Sequence, residues 1–187
     1  VYSGVLSRAR NLDLLIRGLA ELPDDVHLVL VAVPFPHPQE AELRKVADAA
    51  GVAQERLHFA PPVEQHELAY YLSGADVAVS AIPKGSPNHD LALPNKLFHA
   101  VSLGLPVVAT DVGELGKTVR EYGLGTLYTP GDPQSLVAAV RRAVEGFPEL
   151  KCNLDAARAA LSWPADAARL RAVYAGLSAR TDARGEG

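Results

Sequence analysis

The sequence of 187 residues has little of what cross-links a chain or carries it through a membrane. It has a single cysteine, Cys152, which excludes an internal disulfide and is typical of a reducing compartment. Its longest apolar stretches, around residues 29–33 and 103–109, are far too short to cross a bilayer, and no signal peptide is visible. It also contains no methionine, so we expect the chain to be a domain of a longer protein.

Several common binding motifs are absent as well. The first strand-like run is not followed by Gly-x-Gly-x-x-Gly, which argues against a nicotinamide or flavin cofactor. There is no P-loop and no Gly-x-Ser-x-Gly elbow, and the six histidines have no recognisable zinc spacing. A net charge of -4, without a cluster of Lys and Arg interleaved with aromatics, argues against a nucleic-acid partner. We therefore expect no cofactor and no metal.

What the sequence does contain is a regular alternation of strand and helix patterns. Buried or strand-like runs predict strands at 1–6, 27–33, 57–60, 77–80, 107–110 and a short one ending at Tyr128. Apolar residues at helical spacing predict helices at 12–19, 41–50, 68–72, 95–103, 114–122 and 136–144. The proline-rich segment 34–38 is predicted to be a rigid loop.

This alternation predicts an α/β fold in which a parallel sheet is covered by helices on both faces, the doubly wound, Rossmann-like, three-layer architecture. The whole of 1–187 is predicted to form one domain, with residues 149–180 as C-terminal helices that are interrupted near Pro164. Trp163 is predicted to lie in the core and to anchor the last helix.

Doubly wound sheets bind ligands at the carboxyl ends of their strands, so the loops after the strands are expected to converge on one crevice. Those loops carry a set of charged and polar side chains: Arg8, Arg10, His37, Lys84, His89, Asp90, Asn95, Lys96 and Asp111. Asp90 is more readily explained as a loop cap than as a ligand, and Asp111 as a cap of the turn after its strand. His37, His58, His66 and Cys152 are expected to be structural.

The stretch from Leu93 to Thr110 organises the rest of the chain, because a polar, proline-punctuated loop leads there into a helix and then into a buried strand. Asn95 is predicted to cap the helix, to contact a ligand, or both. The backbone N–H groups of Lys96, Leu97 and Phe98 would then be unpaired donors beside the positive end of the helix dipole, which favours an anion such as phosphate. Lys96 adds a point charge, and Arg8 or Arg10 would add a guanidinium from across the crevice.

Specific segments carry a family resemblance that covers nearly the whole chain. They are VYSGVLSRARNLDLLIRGLAEL, HLVLVAVP, RLHFAPPV, ELAYYLSGADVAVS, LPNKLFHAVSLGLPVVATDVGELGKTV, YGLGTLYTPGDPQSLVAAV and LSWPADAARLRAVY, in that order. The sequence resembles the C-terminal, donor-binding domain of GT-B glycosyltransferases. More closely, it is similar to the retaining glycosyl transferases group 1 of bacterial surface-polysaccharide and glycolipid synthesis.

The resemblance implies that this chain binds the nucleotide-sugar donor and that an N-terminal, acceptor-binding domain lies outside it. It implies transfer of a hexosyl group with retention of configuration, no metal requirement, and a cytoplasmic protein whose contact with the inner face of the membrane stays open. The isolated domain would not catalyse transfer unaided, and no catalytic residue is assigned. The expected donor-binding residues are Gly4, Arg8, Arg10, Asp90, Asn95, Lys96, Leu97 and His99.

The sequence departs from the family at three positions. The family's two glutamates would fall at Leu91 and His99, the second being the usual acceptor of ribose hydroxyls. A histidine ring offers one acceptor nitrogen where a carboxylate offers two oxygens, and Asp90 is the nearest substitute for the first glutamate. The usual Gly-Arg pair is Gly4-Val5 here, so one diphosphate-binding cation is missing.

Two classes of function therefore compete. In the first, the helix N-terminus, Lys96 and an arginine stabilise the departing nucleoside diphosphate of a glycosyl transfer. In the second, the substitutions at Val5, Leu91 and His99 mark a diverged domain that binds a nucleotide or a protein partner without turnover. A sugar-nucleotide epimerase on the same fold is a weaker third alternative. The base, the sugar, the acceptor and the oligomeric state are not encoded in any motif of this chain.

Overall fold

The computed structural model describes residues 1–6, 11–64 and 66–185, with side chains described as far as residue 177. The strands are β1 (Tyr2–Val5), β2 (Leu28–Val33), β3 (Leu57–Ala60), β4 (Ala78–Ser80), β5 (Val107–Thr110) and β6 (Gly125–Tyr128). The helices are α1 (Leu12–Leu19), α2 (Glu40–Ala50), α3 (Leu68–Leu72), α4 (Pro87–Leu91), α5 (Asn95–Leu103), α6 (Gly113–Tyr122), α7 (Pro133–Glu145), α8 (Phe147–Ala160) and α9 (Trp163–Gly185).

All strand pairs are parallel, which confirms the doubly wound prediction. The ladders run β1-β2-β3 and β4-β5-β6. The two halves meet where the N–H of Val79 donates to the carbonyl of Val1 over 2.8 Å. The order across the fold is therefore β3-β2-β1-β4-β5-β6, and its direction reverses between β1 and β4. Ligands of such sheets bind at the carboxyl ends of the strands beside this reversal.

The sheet has one apolar cluster on each face, as expected for strands buried on both sides. On β5, Val108 faces the cluster that contains the buried side of α1 and α7, whereas Val107 and Ala109 face the cluster built with α5, α6 and α8. This alternation follows from the two-residue period of a strand. Helix α1 and helix α5 therefore lie on opposite faces of the sheet.

The segment before α5 is more ordered than the sequence predicts. We expected a loop there, but Pro87–Leu91 forms the short helix α4, with Ser86 in the N-cap position and Pro87 at the start. Proline is favoured at the first position of a helix because its missing N–H would be unpaired there in any case. Asp90 is consequently an exposed helical residue, and its predicted role as a loop cap is wrong.

Helix α9 is the other correction. Trp163, predicted to be a core anchor, is 74 % exposed, and so are large parts of Leu170, Val173, Tyr174 and Leu177. The break near Pro164 is confirmed, since α8 ends at Ala160 and α9 begins at Trp163. Hydrophobicity alone assigned this tryptophan to the interior, yet no described element packs over it. Within the described residues, no helix is both long and apolar enough to span a membrane.

Candidate functional site

Two predicted site residues meet at the point where the strand order reverses. Gly4 lies near the end of β1 with φ +125°, and a Cβ at this position would be 3.1 Å from the Lys96 Nζ. Because the nearest atom is the tip of a lysine, a side chain at Gly4 would displace the ammonium group from the strand end. The structure thus brings Gly4 and Lys96 together, as expected of a shared site.

Tyr2 forms the base of this arrangement, and the sequence analysis did not single it out. The Lys96 Nζ lies 4.8 Å from the centroid of the Tyr2 ring, a cation–π distance. The ring is fully buried, and its hydroxyl donates a hydrogen bond of 3.1 Å to the Val5 carbonyl. Tyr2 and Gly4 are two residues apart on a strand and therefore face the same side. This two-residue spacing is the sequence signal that could have placed Tyr2 and Gly4 on one side of β1.

Lys96 crosses from one face of the sheet to the other. Its helix α5 packs through Leu97 and Val101 into the cluster on one face, whereas the Tyr2 ring belongs to the cluster on the opposite face. The half-buried Lys96 side chain therefore reaches from the α5 face of the sheet to the Tyr2 ring on the other face. A cation in the first turn of a helix is unfavourable beside the positive end of the dipole, so the electron-rich ring partly offsets that cost.

The start of α5 differs in detail from the prediction. Pro94, and not Asn95, occupies the N-cap position, and no side chain caps the helix. The N–H of Leu97 donates to the Pro94 carbonyl over 2.9 Å, so the prediction that it is an unpaired donor is wrong. Pro94 has φ -73° and ψ 145°, which aims its carbonyl into the first turn. The exposed Asn95 then lies within the helix rather than before it.

Helices α4 and α5 carry Asp90, Leu91 and His99, the residues at or beside the positions of the family's two glutamates. Asp90 uses its backbone to pack against the start of α6, where Gly113 has φ +43° and contacts the Asp90 carbonyl. Leu91, at the position of the family's first glutamate, is 76 % exposed. His99 is half-buried on α5, and its carbonyl accepts a hydrogen bond from the Ser102 hydroxyl. The ligand roles of Asp90 and His99 remain predictions.

Two of the remaining polar residues on this edge, Asp111 and His37, have partners within the fold. Asp111 does not cap a turn as expected, because both of its carboxylate oxygens accept from the guanidinium of Arg120 at 2.7 and 2.8 Å. His37 is buried, and its Nδ1 accepts from the Gln39 N–H over 3.1 Å, in agreement with a structural role. Lys84 is exposed in the loop after β4. The predicted ligands Arg8 and Arg10 lie outside the described residues.

Two buried polar atoms near this edge have no hydrogen-bond partner among the described residues. They are the Oγ of Ser80, which is 1 % exposed at the end of β4, and the Nδ1 of His89 on α4. Buried hydroxyls and imidazoles usually have a partner, and a bound water or ligand commonly explains the exceptions. Burial also raises the pKa of the Tyr128 phenol at the end of β6 above its ordinary range, and the nearby Tyr2 phenol adds to this effect.

Two depressions lie at opposite edges of the sheet. A narrow crevice at the carboxyl ends is lined by Asn11, Leu14, Ala81, Ile82, Pro83, Thr110, Tyr128, Pro130 and Gly131. A larger groove of about 750 Å³ lies at the amino ends, between α1, α7 and the starts of β2 and β4. The larger groove is mostly apolar, whereas the carboxyl edge carries Lys96. Charge and topology therefore place the candidate anion site at the carboxyl edge.

A family model described as "Glycosyl transferases group 1" matches residues 1–146, which include β1, α5 and every element between them. The chain belongs to this family of glycosyltransferases. The resemblance that the Pro94–Thr110 motif carries is thereby confirmed.

Curated relatives of this chain include D-inositol 3-phosphate glycosyltransferases of two bacteria. That of Streptosporangium roseum is 33 % identical over 96 % of this chain and 42 % of its own length. That of Catenulispora acidiphila is 30 % identical over 93 % of this chain and 42 % of its own length. The chain therefore spans less than half the length of these relatives.

Solved structures of other proteins share the fold. A sucrose-phosphate synthase from Thermosynechococcus elongatus has a TM-score of 0.74 and 26 % identity, over 96 % of this chain and 45 % of its own. The Anabaena protein HepE, in complex with UDP-glucose, has a TM-score of 0.76 and 22 % identity, over 95 % of this chain and 48 % of its own. The second likeness shows the fold alone. The GT-B fold class predicted for the chain is thus confirmed.

Proposed function

We propose that this chain binds the nucleotide-sugar donor of a retaining glycosyltransferase, with the diphosphate between Gly4 and the N-terminal turn of α5. The observation that carries the proposal is the Lys96 ammonium group at the end of β1, 3.1 Å from the position of a Gly4 Cβ. A diphosphate binds where cationic groups or backbone N–H donors lie close to its oxygens. A glycine at a strand end allows the protein backbone to approach the phosphates closely. UDP is the first nucleotide to test, because HepE has been crystallised with UDP-glucose.

In this function the chain's own residues act on the leaving group. When the bond between the sugar's anomeric carbon and the phosphate oxygen breaks, its electron pair stays on the nucleoside diphosphate. Lys96 and the positive end of α5 would stabilise that developing charge, which requires no proton transfer from either group. His99 would donate or accept one hydrogen bond at the ribose, since its ring offers a single acceptor. Transfer to the acceptor would use a further domain. The product would be a surface polysaccharide or a glycolipid.

The proposal is tested by calorimetric titration of the 187-residue chain with UDP, UDP-glucose and uridine. A charge-assisted contact contributes about 1.5–3 kcal/mol, so Lys96→Met should weaken UDP binding by about 10- to 100-fold. The matched control is Lys45→Met on the exposed side of α2, which removes the same charge and should leave binding unchanged. No binding of UDP or UDP-glucose at millimolar concentration, or equal losses in both variants, would overturn the proposal.

The alternative of a diverged domain without donor binding is favoured by Leu91, whose exposed apolar side chain replaces a family glutamate. Substituting His99→Glu separates the two. If the site binds a donor, a carboxylate at 99 provides two acceptors for the ribose hydroxyls, and affinity for UDP should rise. If the domain has lost the donor, the substitution should have no effect on binding.

A further inference from the structure

The Tyr2 ring and Lys96 form a preassembled cationic group, and its effect on ligand binding rests on the donor-site function proposed above. Tyr2 is fixed at two points. Its strand pairs with β2 through Leu30, and its hydroxyl donates to the Val5 carbonyl over 3.1 Å. The ring is fully buried, so it has no freedom to turn away from the ammonium group 4.8 Å from its centroid.

Gly4 completes the arrangement from the side. It faces the same way as Tyr2, and its missing side chain leaves the space that the Lys96 tip occupies. The Lys96 Cε would lie only 3.6 Å from a Gly4 Cβ, so the end of the lysine stem, and not the ammonium alone, fills this space. The ring below and the glycine beside it therefore hold the ammonium at the strand end instead of leaving it mobile at the end of its four-carbon stem.

The position of the ammonium group has a consequence for the ligand. Lys96 begins in the first turn of α5 and ends over β1, so its charge is separated from the positive end of the helix by the length of its own side chain. The site thus offers two separate positive centres, one at the helix end and one at the strand end. The ammonium group is therefore placed to meet a phosphate that the helix end alone would not reach.

We propose that Tyr2 is a positioning residue that holds the Lys96 ammonium at the end of β1, apart from the positive end of α5. A held cation loses less conformational entropy on binding than a mobile one, which is the physical gain from the ring. Tyr2 itself touches no ligand in this arrangement, since its ring is buried beneath the lysine.

The test compares UDP with UMP in four forms of the full chain: unaltered, Tyr2→Leu, Lys96→Met and the double variant. We expect Lys96→Met to lower affinity for UDP at least tenfold and for UMP by less than about twofold. Tyr2→Leu should lower UDP affinity by about two- to fivefold, in line with a cation–π contact of about 0.5–1 kcal/mol. In the Lys96→Met background the Tyr2 substitution should have no further effect, which a general loss of structure would not produce.

Two controls address folding. Tyr70→Leu removes a tyrosine that is 87 % exposed and should change neither affinity. Tyr2→Phe keeps the ring and loses only the hydrogen bond to Val5, so it should retain most of the affinity for UDP. If Tyr2→Leu does not fold, the unaltered chain still decides: the Lys96 ε-methylene protons should resonate upfield of their unfolded position by ring-current shielding, and Lys96→Met identifies them.

Each result bears on the proposal. If UDP binds and Lys96→Met weakens it, but Tyr2→Leu does not, the donor site stands and the positioning role is wrong. If the ε-methylene protons have the shift of an unfolded lysine, the positioning role is also wrong. If UMP loses as much affinity as UDP in Lys96→Met, the ammonium group does not act apart from the helix end, and its proposed position is wrong. If the unaltered chain binds neither nucleotide, the donor-site function fails and this inference fails with it.

Discussion

Two glycines at the carboxyl edge of the sheet, Gly4 and Gly113, are approached by different kinds of atom. At Gly4 the missing Cβ leaves space for the flexible tip of Lys96, whereas at Gly113 it leaves space for the rigid carbonyl of Asp90. The first close approach brings a charge to the strand end, and the second joins two helices. The surface around Gly4, which we call the open corner, is therefore suited to an anion. The surface around Gly113, which we call the closed corner, is filled by the Asp90 backbone. Glycine alone in the sequence does not distinguish them; the atom that approaches it does.

The largest expected effect is on the closed corner. Gly113→Ala would place a Cβ against the Asp90 backbone, which cannot rotate away, and the positive φ adds strain. We expect a loss of about 3 kcal/mol in the free energy of unfolding, measured by urea denaturation. Gly51→Ala is the control, because Gly51 has φ +74° with nothing within 4 Å and reports the cost of conformation alone. Equal losses in the two variants would contradict the closed corner.

Gly4→Ala should have a smaller effect on stability and a larger one on binding. The φ of +125° costs about 1–2 kcal/mol, but the Lys96 tip can move away from the new methyl group. The displaced ammonium should then weaken UDP binding about fivefold, since its charge leaves the strand end. Titration of this variant, beside Gly51→Ala as a control for strain, measures both quantities. Unchanged affinity would contradict the proposed contact between the two residues.

Tyr128 should make stability fall at high pH. Burial raises the pKa of its phenol in the folded chain, whereas in the unfolded chain the pKa is about 10. Above pH of about 10 the folded chain therefore keeps a proton that the unfolded chain loses. The contribution of Tyr128 to the free energy of unfolding is fully present below that pH and declines above it. Denaturation curves at increasing alkaline pH measure the decline, and Tyr128→Phe should reduce it. If the free energy of unfolding of Tyr128→Phe falls with pH as steeply as that of the unaltered chain, other groups are responsible.

Among the smaller effects, the Asp111–Arg120 pair should contribute little. Both side chains are about half exposed, at 49 % and 59 %, so solvent screens the interaction despite its two short contacts. We expect Arg120→Ala to cost no more than about 0.5 kcal/mol and to leave UDP binding unchanged. Denaturation and titration of the variant check both. A clear loss of UDP affinity would show that the Asp111–Arg120 pair belongs to the binding site.

Val5→Arg is the smallest expected change and moves the open corner toward the family's pattern. Val5 is 61 % exposed at the end of β1 and faces away from the side of Gly4, so an arginine fits without repacking. A second cation near the diphosphate should raise UDP affinity by about two- to fivefold at low salt and less at high salt. Titration at two ionic strengths tests this. A salt-independent change would not come from the added charge.

The sequence predicts most of this fold because the signals for it are local. Buried runs such as Val107–Thr110 and the alternating helix patterns need no distant partner to be recognised. The helix over Pro87–Leu91 also had a local signal, a serine followed by proline at the first helical position, but the neighbouring prolines favoured a loop. Trp163 was misplaced because burial depends on what packs against a residue, and hydrophobicity does not report that.

The candidate site was only partly predictable. Lys96 was found because helix ends and cations follow local rules, and Gly4 because the family has a glycine there. The contact of Lys96 with Tyr2 joins residues from opposite faces of the sheet, and the register of β1 against β4 that creates it is set by tertiary packing. No pattern within either segment encodes that register.

The most direct measurement is a crystal structure of the chain with UDP. We expect density for the diphosphate at the end of β1, with the Lys96 Nζ within about 3 Å of a phosphate oxygen and still above the Tyr2 ring. UDP in the apolar groove between α1 and α7, or a diphosphate at the carboxyl edge that Lys96 does not contact, would contradict this expectation.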